Sequence, residues 1–285
     1  MTSSSTRADI PLAGSVAFIG GGNMAAALAA GLVQGMLQPT QLHIVDPDPA
    51  TREAWSARGA SVAAAPDARL AQCDIWVYAV KPQVMHAVVE QTRPWLRQPL
   101  VISIAAGVTA AALARWLVAP GQSPYTRLVR TMPNTPALVG QGVTGLAASA
   151  QVEAADRALA ERLLRSVGEV VWVDDESALD AVTALSGSGP AYVFLFLQAL
   201  IEGGQKLGLS AEQARGLALG TLKGATVLAE QSSESPDVLR ERVTSKGGTT
   251  AAALAVFAER GWADAVGEAM VAAAQRAREL GRELA

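Results

Sequence analysis

Short apolar runs alternate with segments of helical composition from Ser15 to about Val173. The candidate strands lie at residues 16–20, 42–46, 74–80, 100–105, 127–132, 142–148 and 168–173. These runs are short and rich in residues that favour strands. Because strands that alternate with helices are joined by crossover connections, the pattern predicts an α/β domain with a parallel sheet.

The strand pattern ends after Asp174, and long segments rich in Ala, Leu and Glu continue to the C-terminus. Breaks are predicted at SGSGP (186–190), SSESP (232–236) and SKGG (245–248). The predicted organisation is a flexible tail at 1–14, an α/β domain at 15–174 and an all-α domain at 175–285.

One predicted helix of the second domain, at about 210–231, has glycines four residues apart at Gly216, Gly220 and Gly224. This spacing places them on one stripe of the helix, and each interior glycine costs up to about 1 kcal/mol relative to alanine. Two explanations stay open: close approach of a second subunit, or tight packing within one subunit.

Composition excludes several functional classes. The chain has 285 residues, 50% of them hydrophobic, and a formal charge of −3. Without a basic stripe, nucleic acid is not expected as a partner. The longest apolar run, residues 191–201, is shorter than the roughly 20 residues that span a bilayer, so a cytoplasmic protein without a membrane anchor is expected.

Metal and thiol chemistry are also not expected. The single cysteine, Cys73, has no neighbouring metal-ligand pattern and is expected to be a buried apolar residue. The two histidines, His43 and His86, lie outside every motif described below, which disfavours a zinc site or a histidine base.

A glycine-rich turn follows the first strand. Gly20, Gly22 and Ala25 have the spacing G-x-G-x-x-A and open a helical segment. In this position the first glycine allows a tight turn, the second allows a pyrophosphate to approach, and the small third residue lets helix and strand pack. The motif predicts a dinucleotide-binding domain of the Rossmann type.

The end of the second strand is where cofactor preference is expected to be decided. Asp46 can accept hydrogen bonds from the adenosine ribose of NADH, or it can be a turn residue of the sequence DPDP. Arg52 can face the 2′-phosphate of NADPH instead. Both cofactors therefore stay open.

Two rigid turns follow later strands. In AVKPQ (79–83), Lys81 and Pro82 stand at the carboxyl end of a strand, and Lys81 either lines the cofactor pocket or is a solvated charge. In RTMPNTP (130–136), Asn134 offers both a donor and an acceptor. Together the turns predict a preorganised cleft.

The stretch VTSKGGTTAAAL (243–254) combines hydroxyl groups and two glycines before a helix start. Glycines permit close approach of the backbone to a ligand, and the first helical turn leaves amide hydrogens without intrahelical partners, which favours an anion. A threonine-capped helix with a flexible lead-in is the alternative.

Taken in order, the motifs resemble the pyrroline-5-carboxylate reductase family. They are FIGGGNM (18–24), AVKP (79–82), MPNTP (132–136), DAVTALSGSGPAY (180–192) and LRERVTSKGGTT (239–250). The resemblance covers nearly the whole chain after the tail. It implies reduction of a cyclic imine acid, 1-pyrroline-5-carboxylate, to L-proline with NADPH or NADH. It also implies a homodimer with intertwined helical domains and leaves a higher assembly of dimers open.

The resemblance further assigns residues to the two ligands. Those implied to bind the cofactor are Gly20, Gly22, Asn23, Met24, Asp46, Ala79, Val80, Lys81, Pro82 and Asn134. Those implied to cradle the substrate carboxylate are Ser245, Gly247, Gly248, Thr249 and Thr250, with Thr250 also near the ring nitrogen as the catalytic residue. The substrate site is implied to lie between the cofactor domain and this loop, close to the subunit interface.

The chain departs from the family pattern at two positions. Lys246 stands where the family has proline, which removes a φ restraint and adds a positive charge near the expected carboxylate. Gln198 stands where a glutamate is expected, and this change is expected to affect packing or an interface contact. SGSGP is expected to be a hinge combined with a close approach beside the nicotinamide, with a plain break between helices as the alternative.

Two rival functions can be weighed on the residues. A β-hydroxyacid dehydrogenase would need a catalytic lysine shortly after Gly-Ser-Gly, where this chain has Tyr192, Val193 and Phe194, and its nearest lysine is Lys206. A nucleotide sensor that lacks catalysis would bind the cofactor but turn nothing over. The intact hydroxyl-glycine loop favours the reductase.

Overall fold

The computed structural model describes residues 14–283, so the predicted tail at 1–14 lies, apart from Gly14, outside the described residues. Within this range the strands form one eight-stranded sheet in the order β3-β2-β1-β4-β5-β6-β7-β8. The strands are β1 (Val16–Ile19), β2 (Leu42–Val45), β3 (Ser61–Ala63), β4 (Ile75–Tyr78), β5 (Leu100–Ser103), β6 (Leu128–Met132), β7 (Gly142–Ala148) and β8 (Gly168–Trp172).

The helices of this part of the chain connect successive strands, except the last, which follows β8. They are α1 (Asn23–Val33), α2 (Pro49–Ser56), α3 (Pro82–Thr92), α4 (Ala110–Trp116), α5 (Ala154–Arg165) and α6 (Ala178–Val182). Short 3₁₀ turns at Pro39–Gln41, Leu70–Gln72, Arg93–Trp95 and Thr135–Val139 complete the connections. The predicted α/β Rossmann-type fold is confirmed.

The core lies on both faces of the sheet. On β1, Phe18 joins one buried cluster and Ala17 the other, because successive side chains point to opposite faces. The same alternation separates Val77 from Trp76 on β4. Helices therefore cover both faces, which explains the continuously apolar strands.

Two features of the sheet differ from the prediction. β6 and β7 are antiparallel, with Met132 opposite Gly145, because residues 133–141 are too few for a crossover connection. The edge strand β3 was not predicted, since three half-buried residues in an alanine-rich stretch give no periodic signal.

The C-terminal part of the chain is helical, as predicted. Its helices are α7 (Gly189–Lys206), α8 (Ala211–Gln231), α9 (Pro236–Arg242), α10 (Thr249–Glu259) and α11 (Trp262–Glu283). The breaks at 232–236 and 245–248 are confirmed. The break at SGSGP is not a loop, because the chain stays helical there and Thr183–Gly187 form a π-helical turn.

Packing divides the chain into two units. One comprises the residues up to Gly187 together with those from Ala273 onward, and the other comprises Ser188–Ala272. The segment 178–187 and the end of α11 thus pack with the sheet. The domain boundary at 174 stays a prediction, since a boundary defined by packing is a different quantity from a boundary between sequence domains.

The helices of the second unit leave apolar side chains uncovered. No residue of α7, α9 or α10 is buried, and Leu195 on α7 is 69% exposed. The helical run Ala178–Lys206 is 29 residues long and, by length and composition alone, could cross a membrane. It is longer than the apolar run recognised in the sequence.

Cys73 is buried in the first unit, as predicted for a small apolar residue. Its Sγ lies 3.4 Å from the carbonyl oxygen of Arg69. Burial raises the pKa of the thiol, because desolvation disfavours the thiolate.

Candidate functional site

The three glycines of the turn after β1 have different steric surroundings. Gly20 has φ +97°, and a Cβ there would lie 2.6 Å from the carbonyl oxygen of Ala79. Only glycine fits this backbone conformation and this close contact. The contact also brings the GGG and AVKP motifs together at the carboxyl edge of the sheet, the edge at which the parallel strands end.

Gly22 differs from Gly20, because no atom of residues 14–283 lies within 4 Å of a Cβ built there. Its φ of −71° is one that any residue adopts. The protein itself therefore gives no reason for glycine at this position, whereas a ligand that approaches the backbone does. This is the cradle that a pyrophosphate requires.

Helix α1 begins directly after the cradle. Gly22 is its N-cap, without a side-chain cap and with no acidic residue in the first turn. The amides of Asn23, Met24 and Ala25 precede the first intrahelical hydrogen bond, which runs from Ala26 N–H to the Gly22 carbonyl. Free amides and the helix dipole both favour a phosphate here.

Gly21 and Trp55 were not recognised in the sequence. A Cβ at Gly21 would lie 2.8 Å from Thr51 Cγ2 and 2.9 Å from both Ile44 Cγ2 and Trp55 Nε1. The buried Trp55 indole donates a 2.9 Å hydrogen bond to the Gly21 carbonyl. The middle glycine of the three was the available signal, because the G-x-G-x-x-A motif does not require it.

Asp46 stands at the carboxyl end of β2 beside the glycine turn. Its carboxylate accepts hydrogen bonds from Gly21 N–H (2.8 Å) and Asp48 N–H (2.9 Å). It is thus a turn residue, as one alternative stated. The other role stays open, because a carboxylate has about four acceptor positions and two remain for a ribose.

Arg52 lies on α2 next to Asp46. Its Nη1 donates to the carbonyl oxygens of Asp46 (2.8 Å) and Pro47 (2.7 Å), which fixes a positive charge beside the β2 turn. Asp48 caps α2 by accepting from Thr51 N–H, and its hydrogen bonds with the Thr51 hydroxyl and then the Thr51 backbone lower the pKa of Asp48. The carboxyl end of β2, where the adenosine of the cofactor is expected, therefore carries charged side chains that hydrogen bonds hold in place.

The AVKP motif leaves β4 at the same edge. Ala79 N–H donates to the carbonyl of Ile19 (2.8 Å), and Val80 and Lys81 lead into α3, which begins at Pro82. Lys81 is exposed at the N-cap of α3. Both roles for Lys81 stay open.

Asn134 is buried after β6, where its side chain joins two other segments. Its Nδ2 donates to the carbonyl of Ser186 (3.0 Å), and its Oδ1 accepts from Val143 N–H (2.8 Å). The carboxamide thus ties the MPNTP turn to β7 and to the π-helical turn. Contact with the cofactor stays a prediction, with one Nδ2 hydrogen left for it.

SGSGP is not a plain break between helices, and its close approach beside the nicotinamide stays a prediction. A Cβ at Gly187 would lie 2.6 Å from Met132 Cε, and Ser186 Oγ donates to the Val182 carbonyl at 3.0 Å. The contact is with the flexible end of the Met132 side chain, so the close packing favours glycine here without requiring it. π-helical turns of this kind are frequent at functional sites.

The hydroxyl-glycine loop forms a second cluster of candidate residues, at the start of α10. Gly248 is the N-cap of α10, with no side-chain cap, so the threonine-capped alternative is wrong. The amides of Thr249, Thr250 and Ala251 precede the first intrahelical bond, from Ala252 N–H to the Gly248 carbonyl. A serine or threonine cap would have occupied one of these donors.

The loop before α10 brings Ser245 over the helix start. Gly247 has φ +73°, and Gly248 N–H donates to the Ser245 carbonyl at 3.0 Å. A Cβ at Gly248 would lie 2.4 Å from Ser245 Oγ. The two glycines therefore place a hydroxyl next to uncapped amides, and Lys246 is exposed beside them.

Comparison with known proteins gives consistent results for both halves of the chain. A family model described as pyrroline-5-carboxylate reductase dimerisation matches residues 176–280. A model described as NADP oxidoreductase coenzyme F420-dependent matches residues 15–107. The helical half therefore carries the signature of a dimerisation domain.

Whole-chain relatives share the same name. A pyrroline-5-carboxylate reductase of Pseudomonas aeruginosa is 45% identical over 271 residues, covering 94% of this chain and 97% of the relative. The structure of a pyrroline-5-carboxylate reductase from Coxiella burnetii has a TM-score of 0.83 at 37% identity, covering 94% of this chain and 98% of that one. A Plasmodium falciparum pyrroline carboxylate reductase with NADP bound has a TM-score of 0.82 at 30% identity, covering 95% and 100%.

Proposed function

This chain belongs to the pyrroline-5-carboxylate reductase family, and we propose how its own residues hold the two reactants. It catalyses the NAD(P)H-dependent reduction of 1-pyrroline-5-carboxylate to L-proline, the last step of proline biosynthesis. The observation that carries the proposal is the uncapped start of α10 behind Ser245, Gly247 and Gly248. It offers several backbone donors to a carboxylate, and no side-chain cap occupies them.

The cofactor is held at the carboxyl edge of the sheet. The open space at Gly22 and the free amides of Asn23 and Met24 suit its pyrophosphate. Asp46 or Arg52 contacts the adenosine ribose or its phosphate. The remaining proposed contacts on the nicotinamide side come from Ala79, Val80, Lys81, Pro82 and Asn134. When bound, the reduced nicotinamide supplies a hydride to the C=N carbon of the substrate.

The substrate carboxylate is held by the loop at residues 245–250. Ser245 Oγ and the amides of Thr249 and Thr250 donate to it, and Gly247 and Gly248 let the backbone come close. The helix dipole adds about 0.3–1 kcal/mol for an anion at an exposed site. Lys246 adds a positive charge next to these donors and is proposed to influence the preference among cyclic imine acids.

Thr250 is proposed to be the catalytic residue, through a hydrogen bond to the ring nitrogen. An imine is basic enough to bring its own proton, and the iminium carbon is already electrophilic, so no strong acid side chain is required. The position of His43 agrees with this mechanism, because its ring is buried in β2 and hydrogen-bonds with Ser61. Orientation of the reactants then supplies most of the rate acceleration.

Replacement of Thr250 by valine tests this role, because valine keeps the shape and removes the hydroxyl. A hydrogen bond to a charged group contributes about 1.5–3 kcal/mol, so kcat/KM with 1-pyrroline-5-carboxylate is expected to fall about 10- to 150-fold. The matched control is Thr226→Val on α8, whose Oγ1 donates to the Leu222 carbonyl of its own helix and to no other atom of the described residues. Wild-type rate and substrate affinity in Thr250→Val would sink the proposal.

The protein is a homo-oligomer, as its dimerisation domain indicates. We propose that the oligomer is an intertwined dimer, alone or within an assembly of dimers, in which the partner covers the exposed apolar side chains of α7. The protein is proposed to be cytoplasmic and free of membrane. Recovery of the protein in the membrane fraction of lysed cells would contradict this, whereas a dimer in the soluble fraction by sedimentation velocity would support it.

A further inference from the structure

Glu176 joins three segments that are far apart in the sequence. Its Oε1 accepts hydrogen bonds from Arg130 Nη1 (2.5 Å) and from Ala110 N–H (2.6 Å). The Arg130 side chain is only 9% exposed, whereas that of Glu176 is 34% exposed. One carboxylate oxygen thus connects β6, the start of α4 and the turn that precedes α6.

These contacts lie at the carboxyl edge of the sheet. Arg130 is the β6 partner of Ser103, the last residue of β5. The turn at residues 104–109 leaves β5 at this edge and ends at α4. Because the sheet order reverses between β1 and β4, a dinucleotide that binds at the β1 turn extends across the ends of β4 and β5. The turn at 104–109 therefore lies on the nicotinamide side.

The same turn is fixed from a second direction by the end of α11. Gly107 has φ +79°, and a Cβ built on Gly281 would lie only 3.0 Å from the Gly107 carbonyl oxygen. Arg278 Nε on α11 lies 3.8 Å from Asp180 Oδ2 on α6. The turn is thus held between α11 and the Ala110 amide that Glu176 binds.

We propose that Glu176 is a positioning residue for the nicotinamide half of the cofactor. Its hydrogen bonds with Ala110 N–H and Arg130 fix the position of the 104–109 turn relative to the strand ends. The inference rests on the proposed function for the identity of the cofactor, but not on turnover of any substrate. Without the carboxylate, the buried guanidinium of Arg130 loses its partner and the end of the turn loses the hydrogen bond between Ala110 N–H and Glu176.

The test compares whole and partial cofactors on the full-length protein. NADPH and 2′,5′-ADP, which lacks the nicotinamide half, are titrated calorimetrically against wild type, Glu176→Ala and Glu176→Gln. If wild type binds NADH more tightly, NADH and ADP take their place. The control is Asp175→Asn, the neighbouring exposed carboxylate, which bonds the backbone N–H and the side chain of Ser177.

Glu176→Ala is expected to bind the whole cofactor about tenfold more weakly, since displacement of a positioning contact by a fraction of an ångström is costly. Binding of 2′,5′-ADP is expected to stay at the wild-type level in every variant. Glu176→Gln is expected to be intermediate, because its amide oxygen can still accept from Ala110 N–H. Asp175→Asn is expected to bind both ligands as wild type does.

Two results would overturn the inference. Equal weakening of both ligands would mean general loosening of the domain, and a lower melting temperature with unchanged binding of both would mean a purely structural ion pair. If Glu176→Ala does not fold, the Glu176→Gln comparison decides between these outcomes. Absence of reductase activity in wild type would refute the proposed function and leave the binding comparison intact.

Discussion

Replacing Gly22 and Gly21 by alanine, one at a time, should separate cofactor affinity from stability within two adjacent residues. At Gly22 the new methyl group meets no protein atom among the described residues, and the backbone conformation suits alanine. The free energy of unfolding should therefore stay within about 0.5 kcal/mol of wild type. The methyl group occupies the space predicted for the pyrophosphate. If it acts as overpacking does, at about 1–3 kcal/mol, the affinity for NADPH falls about 5- to 150-fold.

At Gly21 the opposite result is expected. The methyl group would lie at 2.8–2.9 Å from atoms of Thr51, Ile44 and Trp55, which costs about 1–3 kcal/mol as overpacking. If the indole is displaced, its hydrogen bond to the Gly21 carbonyl is lost as well, at about 0.5–1.5 kcal/mol. The expected loss of stability is therefore about 2–4 kcal/mol.

The measurements are urea unfolding without cofactor and calorimetric titration with NADPH, both at one fixed protein concentration because oligomer stability depends on it. Wild-type affinity for NADPH in Gly22→Ala would refute the assignment of the cradle. Equal stability of Gly21→Ala and wild type would refute the steric account of the turn.

Two further predictions concern stability and assembly. Burial lowers the pKa of His43, so the imidazole of the unfolded chain takes up a proton at a higher pH than that of the folded protein. The melting temperature, measured by scanning calorimetry, should therefore drop between about pH 7 and 5 in wild type and in the control His86→Gln. The drop should be smaller in His43→Gln. A Cβ built on Gly220 of α8 lies within 4 Å of no atom of residues 14–283 outside its own helix turn, so Gly220→Ala should favour the helix by up to about 1 kcal/mol. If a partner subunit approaches there, Gly220→Ala should weaken the dimer and Gly220→Leu should weaken it further. Unchanged sedimentation of Gly220→Leu would exclude an interface at this glycine.

Local patterns in the sequence were sufficient for much of the sheet. The continuous apolar runs located seven of the strands within a few residues, because burial on both faces leaves an uninterrupted signal. The glycine spacing located the turn after β1, where φ +97° at Gly20 requires glycine and the open space at Gly22 leaves room for a ligand. The direction of β7 was missed, although the shortness of residues 133–141 contained the information.

Interactions between distant residues could not be predicted in this way. The bond between Asn134 and Ser186 and the ion pair of Arg130 and Glu176 join residues that no periodicity relates. The role of residues 245–250 came from the family resemblance, because a helix start alone does not distinguish a ligand from a cap. The structure added that Gly248, and not a threonine, is the N-cap.

Cys73 has a practical consequence for spectroscopy on this protein. It is the sole cysteine of the chain, it is buried, and its thiolate is disfavoured, so maleimide reagents should react with it slowly. A cysteine introduced at an exposed position, such as that of Lys246, would then be the fast-reacting thiol. Fluorophores or spin labels could be attached there in the otherwise native sequence, without first removing Cys73.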